Sequence, residues 1–359
     1  MIFTVELLPE RHGDAQWIEY GEVERPHRIL IDGGPSSSVT RKAIEGLISD
    51  RIGTLAGGQT DFELMVVTHI DADHITGMLN LLEKRSVTLR PRDVWFNGWE
   101  HLPTDVLGAK QGERLSAAIV RRRMPWNTDF DSRAVVVPDD GPLPVVELPG
   151  GMALTLLSPT RRALAELRPV WKAEVEKAGL VPGQAAEDER AAQPDVLGDE
   201  AVDPEALAGE AFEEDSSEAN GSSIAFLAEF DGKSVLLTGD AHAGILADGL
   251  RRLADQRGTA TVRADAFKLP HHGSKFNLSP EVLDLLDCGR YLFSTNGDIF
   301  HHPEPVAISR IITTRDGISL EFNHQTEFTA PWESRRLQRR FHYHTVFPSE
   351  GQPWLKVQL

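Results

Sequence analysis

The 359-residue chain contains a single cysteine, Cys288. One thiol excludes an internal disulfide and any zinc site built from several thiolates, and such a residue is expected in the core. Long hydrophobic runs are also missing. No apolar stretch approaches the roughly 18 residues that a membrane helix requires, so no membrane association is expected. Met1 to Glu6 has no basic segment followed by an apolar one, which predicts no secretory leader and a cytoplasmic location. Basic residues are scarce, 37 against 55 acidic, for a formal charge of −18. That balance repels polyanions at long range and argues against broad nonspecific nucleic-acid affinity, though not against a local basic cleft.

What the chain does have is Thr68-His69-Ile70-Asp71-Ala72-Asp73-His74, directly after the apolar run from Phe62 to Val67. The run reads as a buried strand and Ile75 to Leu82 as a helix. In an extended segment His69 and Asp71 project to the same side, and Asp73 and His74 come round at the helix N-terminus. One short loop can then present two imidazoles and two carboxylates to a common point. Without a cation those groups would repel one another or stay unpaired, so the pattern points to a metal site. Mixed nitrogen and oxygen ligation of this kind suits zinc and also manganese.

Elsewhere, residues 2–8, 16–20, 28–31, 93–96, 135–138 and 152–157 read as strands, and 40–52, 111–123 and 160–178 as helices. From Pro182 to Ala219 acidic residues greatly outnumber the one base, Arg190, and Ala, Gly and Pro are in excess. Such a composition cannot bury enough apolar surface to offset chain entropy and predicts a mobile acidic insertion at 182–219. Strands resume at 224–230 and 234–237, joined at Asp231-Gly232 as a hairpin. Strand-like segments at 264–269, 290–294, 318–322 and 354–358 alternate with helical ones at 243–255, 279–287 and 304–313. Polar clusters sit at the strand ends, which fits two packed sheets flanked by helices with a site along one edge.

His69-x-Asp71-x-Asp73-His74 resembles the HxHxDH signature of the metallo-β-lactamase fold, with Asp in place of the second His. That variant looks like the soluble hydrolase domain of the bacterial competence DNA-uptake channel and its stand-alone relatives. Further motifs follow in the family's order: Leu237-Thr238-Gly239-Asp240, His271-His272-Gly273-Ser274 and His302-Pro303. The resemblance implies an α/β fold, a four-layer αββα sandwich formed by residues 1–359 as one domain. It also implies two divalent ions. The first would be held by His69, Asp71 and either His271 or His272. The second would take Asp73, His74 and His302, with Asp240 shared. Asn220-Gly221-Ser222-Ser223 occupies the stretch where the family's third-motif histidine usually lies. Asp14, in His12-Gly13-Asp14-Ala15, and Asp32, in Asp32-Gly33-Gly34, would orient ligand imidazoles.

The resulting expectation is a metal-dependent hydrolase, a phosphodiesterase or nuclease using a metal-bridging hydroxide, with Asp73 orienting that nucleophile and Asp240 bridging. Single-stranded DNA or a small nucleotide would be the substrate. Asn220, Ser223, Lys268, Ser274, Lys275 and Asn296 are the candidate supporting or phosphoryl-binding residues. The alternatives are a thioester or lactone hydrolase of the same fold, and a metal-bound sensor or partner-binding subunit with little turnover.

Overall fold

The computed structural model describes residues 1–52, 62–84, 89–102, 110–177 and 202–359. Five strands open the chain: β1 (Ile2–Leu7), β2 (Gln16–Glu22), β3 (Arg25–Ile31), β4 (Leu64–Val66) and β5 (Val94–Trp95). Eleven follow among the described residues: β6 (Val145–Leu148), β7 (Met152–Ser158), β8 (Ala225–Phe230), β9 (Lys233–Leu237), β10 (Val262–Ala264), β11 (Ala266–Lys268), β12 (Leu286–Cys288), β13 (Arg290–Phe293), β14 (Ile318–Phe322), β15 (Tyr343–Val346) and β16 (Leu355–Gln358). One sheet runs β16-β1-β2-β3-β4-β5, the other β15-β14-β13-β11-β9-β8-β7-β6, and β10 pairs with β12 alone. Helices cover the outer faces, giving the αββα layering.

Strand side chains alternate between two cores. In β4 and its continuation, Leu64 and Val66 enter the core between the sheets, while Met65 and Val67 enter the one under the outer helices. Both faces are buried, so the strand is apolar throughout, as sheets covered on two sides require. Each such side chain contributes about 1.5–3 kcal/mol on full burial. A one-residue slip would exchange the two faces, and the motif following β4 would be carried with it.

Topology sets the position of the polar loops. β3, β4 and β5 are parallel, as are β9, β11, β13, β14 and β15. Their C-terminal ends therefore lie along one edge in each sheet. The β1–β2 and β7–β8 connections reach the same edge because those strands are antiparallel to their neighbours. The Ile224 amide donates to the Thr68 carbonyl (2.9 Å) and the Asn296 amide to the Arg11 carbonyl (2.9 Å), tying the two sheets together there.

Several local expectations change. The segment at 135–138 makes only an isolated bridge, Val137 to Thr160, and is not a ladder strand. The predicted mobile insertion lies only in part among the described residues: 182–201 falls outside them, whereas 202–219 is built into the fold. Asp203 caps a short helix, Pro204–Ala208, and Ser217 caps another, Glu218–Gly221. Phe212 packs on the larger hydrophobic cluster, which gives this stretch the apolar anchor its average composition conceals.

The helix Ala72–Glu83 sits against the Asp32-Gly33-Gly34 turn at backbone distance. Gly33 donates to the His74 carbonyl and Gly77 to that of Gly34, both at 2.9 Å. A Cβ on Gly33 would fall 2.0 Å from the Met78 nitrogen. Gly33→Ala is thus expected to destabilise the protein by about 1–3 kcal/mol through overpacking. Urea unfolding of the two proteins checks this, with an unchanged midpoint as the contrary result.

Candidate metal centre

The site is assembled at the common edge. β4 ends in the loop that carries Thr68, His69 and Asp71, and the following helix starts with Asp73 and His74 in its first turn. β9 delivers Asp240. β11 runs into Pro270–Gly273, where His271 and His272 both take left-handed backbone angles (φ 46° and 56°). Such angles cost about 1–3 kcal/mol at a non-glycine residue and turn both rings out of the strand direction. Here the His271 amide is held by the Gly239 carbonyl (3.2 Å) and the Ser274 amide by that of His271 (2.9 Å). Gly13 closes the floor: with φ of +81°, its Cβ position lies 1.8 Å from the Asp73 carbonyl oxygen, so only glycine fits.

Four imidazoles are held the same way. His74 Nδ1 is 2.9 Å from Asp32 Oδ2, and its Nε2 is 3.3 Å from Asp240 Oδ1. His272 Nδ1 faces Asp14 Oδ1 at 3.4 Å, and its Nε2 lies 3.6 Å from Asp240 and 3.7 Å from Asp73. His69 Nδ1 meets the hydroxyls of Thr68 (3.0 Å) and Ser223 (3.2 Å), leaving Nε2 3.6 Å from Asp71. His271 Nδ1 meets Asn277 Oδ1 at 3.0 Å, with Nε2 3.9 Å from Asp240. Among the described residues, ligand atoms of His69, His74 and Asp240 lie within 4.8 Å of one another, as do those of Asp73, His74 and His272.

These groups fit a cation. The Nε2 atoms of His69, His74 and His272 and Oδ1 of Asp240 are buried and have no hydrogen-bond partner. Buried polar atoms left so are costly, and neutral imidazole nitrogens beside carboxylates form a borderline-metal donor set.

The grouping differs from the expected one. His272, not His302, stands with Asp73 and His74, and His69 groups with His74 and Asp240 while keeping Asp71 at 3.6 Å. The Asp71 side chain is 42% exposed, with Oδ2 on the His69 side. His302 is buried one ring farther out, against His271 (5.3 Å between centroids) and Phe300 (6.1 Å). Burial, then the nearby His271 and His272, push its pKa well below 6.5.

Supporting roles divide. Asp32 accepts from the Thr68 amide (2.8 Å) and hydroxyl (2.7 Å) as well as facing His74. Ser223 accepts from the Asp240 amide (3.2 Å) while facing His69. Asn220 lies 3.4 Å from His271 Nδ1. The four candidate phosphoryl binders do not face the cluster. Lys268 is fully buried and forms an ion pair with Asp14. Ser274 accepts from the Phe276 amide, and Lys275 lies 3.8 Å from Glu210 and 4.0 Å from Glu304. Asn296 accepts from the Asp298 amide in a local turn. Thr68, Asn277 and Asp215 are supporting residues that sequence reasoning missed. Thr68 stands immediately before the motif, and the helix-capping Ser217 is the signal that 215–218 has a defined conformation.

Charge is finely balanced in this volume. Burial disfavours charge on His74, but Asp240, Asp73 and Asp32 outweigh it and raise its pKa well above 6.5. His272 is raised well above 6.5 for the same reason, by Asp240 and Asp14 against burial. Burial would raise Asp240 and Asp73, yet the histidines hold Asp240 well below 3.8 and lower Asp73 too. The sign of each linkage follows. Raised histidines stabilise the fold fully below 6.5 and lose that contribution as pH climbs through their folded values. Lowered carboxylates contribute above 3.8 and lose it as pH falls through theirs. Metal-stripped protein is therefore expected to melt at a higher temperature near about pH 5.5 than near about pH 8.5. Added zinc, which competes with the histidine protons, should stabilise more at the higher pH. Thermal melts with and without zinc test this; a pH-independent gain from zinc would contradict it.

Comparison with known proteins agrees with this architecture. The family model described as the Metallo-beta-lactamase superfamily matches residues 27–290. No curated protein matches. Among solved structures, the metallo-beta-lactamase fold protein YhfI from Bacillus subtilis is similar at 8% identity and a TM-score of 0.43, covering 99% of each chain. The short form of human tRNase Z is 11% identical with a TM-score of 0.40, covering 99% of this chain and 98% of that one. CmlA, a diiron beta-hydroxylase from Streptomyces venezuelae, is 11% identical with a TM-score of 0.40, over 99% of this chain. The match spans only 54% of the CmlA chain. No helix among the described residues is long and apolar enough to cross a membrane. On the family match, which covers well over half of its length, the chain belongs to the metallo-beta-lactamase superfamily.

Proposed function

We propose that the protein is a metal-dependent hydrolase of phosphodiester bonds that holds two divalent cations, zinc or manganese. The carrying observation is that unpartnered Nε2 atoms of His69, His74 and His272 meet around the Asp240 carboxylate. A divalent cation bound there supplies a Lewis acid and lowers the pKa of water, so no serine or cysteine nucleophile is needed. His69, His74, His272, Asp73 and Asp240 would hold the pair, with His271 at its rim.

The chain's own groups do the positioning. Asp240, at 3% side-chain exposure, faces His74, His271 and His272 at once and is the shared carboxylate. Asp73 is the more open at 17%, and its lowered pKa keeps it ionised at neutral pH. As a carboxylate it can accept a hydrogen bond from a water and orient it. Preference for a phosphodiester over an acyl bond rests on the HHGS element and the Asn-Gly-Ser-Ser stretch, which resemble the competence-type branch. The charge of −18 favours a small nucleotide or short single strand over long duplex DNA.

Metal-loaded protein is expected to hydrolyse bis(p-nitrophenyl) phosphate and either single-stranded DNA or a nucleotide, and to lose that turnover with chelator. His69→Ala and Asp240→Ala should each lower it by more than the roughly 100-fold that a supporting residue costs, with circular dichroism unchanged. Turnover confined to thioesters or lactones would replace the phosphodiester reading. Metal uptake with no turnover on any of them would favour a sensor or partner-binding subunit.

A further inference from the structure

The acidic stretch contributes to the site through Asp215. Its Oδ2 accepts from the side-chain amides of Asn220 (2.6 Å) and Asn277 (2.9 Å) and lies 3.5 Å from His271 Nδ1. Its Oδ1 accepts from the Ser217 amide at 2.9 Å. The Asp215 amide donates to the Phe276 carbonyl at 3.0 Å, fastening the stretch to the loop that follows the two histidines. A carboxylate only accepts, so it fixes which way each amide must turn. Asn277 Nδ2 is committed to Asp215 and to the Asp240 carbonyl (3.1 Å). Its Oδ1 is therefore the atom presented to His271 Nδ1, at 3.0 Å. Asn220 Nδ2 is a donor near the same nitrogen, but at 3.4 Å and with one hydrogen spent on Asp215. The closer Asn277 Oδ1 and Asp215 Oδ2 are both acceptors, which favours the proton on Nδ1 and leaves the Nε2 lone pair on the Asp240 side.

We propose that Asp215 is a positioning residue that sets the tautomer and ring orientation of His271, making this imidazole a further ligand at the cation pair. The assignment rests on the metal-dependent reading above. It also gives residues 202–219 a defined task, linking an acidic surface segment to cation affinity.

The test compares wild type, Asp215→Ala and Asp215→Asn, with His271→Ala to identify the ring signals. Cobalt(II) is titrated into metal-free protein and followed by its visible spectrum. Ring ¹⁵N signals of the zinc-loaded proteins report the tautomer. Wild type should show His271 protonated at Nδ1 and metal-bound through Nε2. Asp215→Ala should lose that signal, change the cobalt spectrum and weaken cobalt binding by about 10-fold or more. Asp215→Asn keeps an acceptor oxygen and should recover part of the affinity, which a general folding defect would not produce; melting curves check the fold independently. An unchanged His271 signal and unchanged cobalt affinity in Asp215→Ala would overturn the positioning role alone. Wild type that takes up no cation would overturn the metal reading itself.

Discussion

Several buried imidazoles and carboxylates share one small volume, and the surrounding structure is arranged around neutralising them. Charge removed from water without compensation is costly by several kcal/mol per ion. Without a cation the balance is met by protons on His74 and His272, drawn there by Asp240, Asp73 and Asp14. A divalent cation would meet it by displacing those protons. The same residues would then serve two states, with the preference between them moving with pH and metal concentration.

A repeated device makes this possible. In His69, His74, His271 and His272, Nδ1 is turned toward the protein and Nε2 toward the centre. The partners differ: hydroxyls for His69, carboxylates for His74 and His272, an amide for His271. The outcome is common because the parallel strands bring all the donors to one edge and the Thr68 carbonyl locks the sheets together there. Fold and site are not separable in this respect. The Gly33 and Gly13 contacts that let the helix and the floor close up also fix where His74 and Asp73 stand.

Much of this could be read from the sequence where chemistry is local. The run Phe62 to Val67 followed by His69, Asp71, Asp73 and His74 announces a strand, a turn and a polar loop, and Asp14, Asp32 and Ser223 stand against the rings of His272, His74 and His69. Reading fails where the decision is tertiary. Spacing cannot say that His272 sits with Asp73 while His302 stays one ring outward, because left-handed angles at 271 and 272 redirect both side chains. Composition likewise hides Asp215. Averaged over a long acidic stretch, one partly buried carboxylate held between two amides looks like its solvated neighbours.

Lys268 shows the limit most clearly. A lysine three residues before a histidine pair suggests a contact to substrate phosphate, yet it is fully buried against Asp14. Burial raises the Asp14 pKa, but the ammonium outweighs it, with His272 helping, and brings it to about 2. The ionised Asp14 then faces His272 Nδ1. The lysine's charge thus acts on the ligand layer through one carboxylate and is screened from solvent. In an acidic protein, cations held there as proposed would be the centre's main attraction for an anionic substrate. Selection would then depend on contact at the metal layer more than on long-range steering.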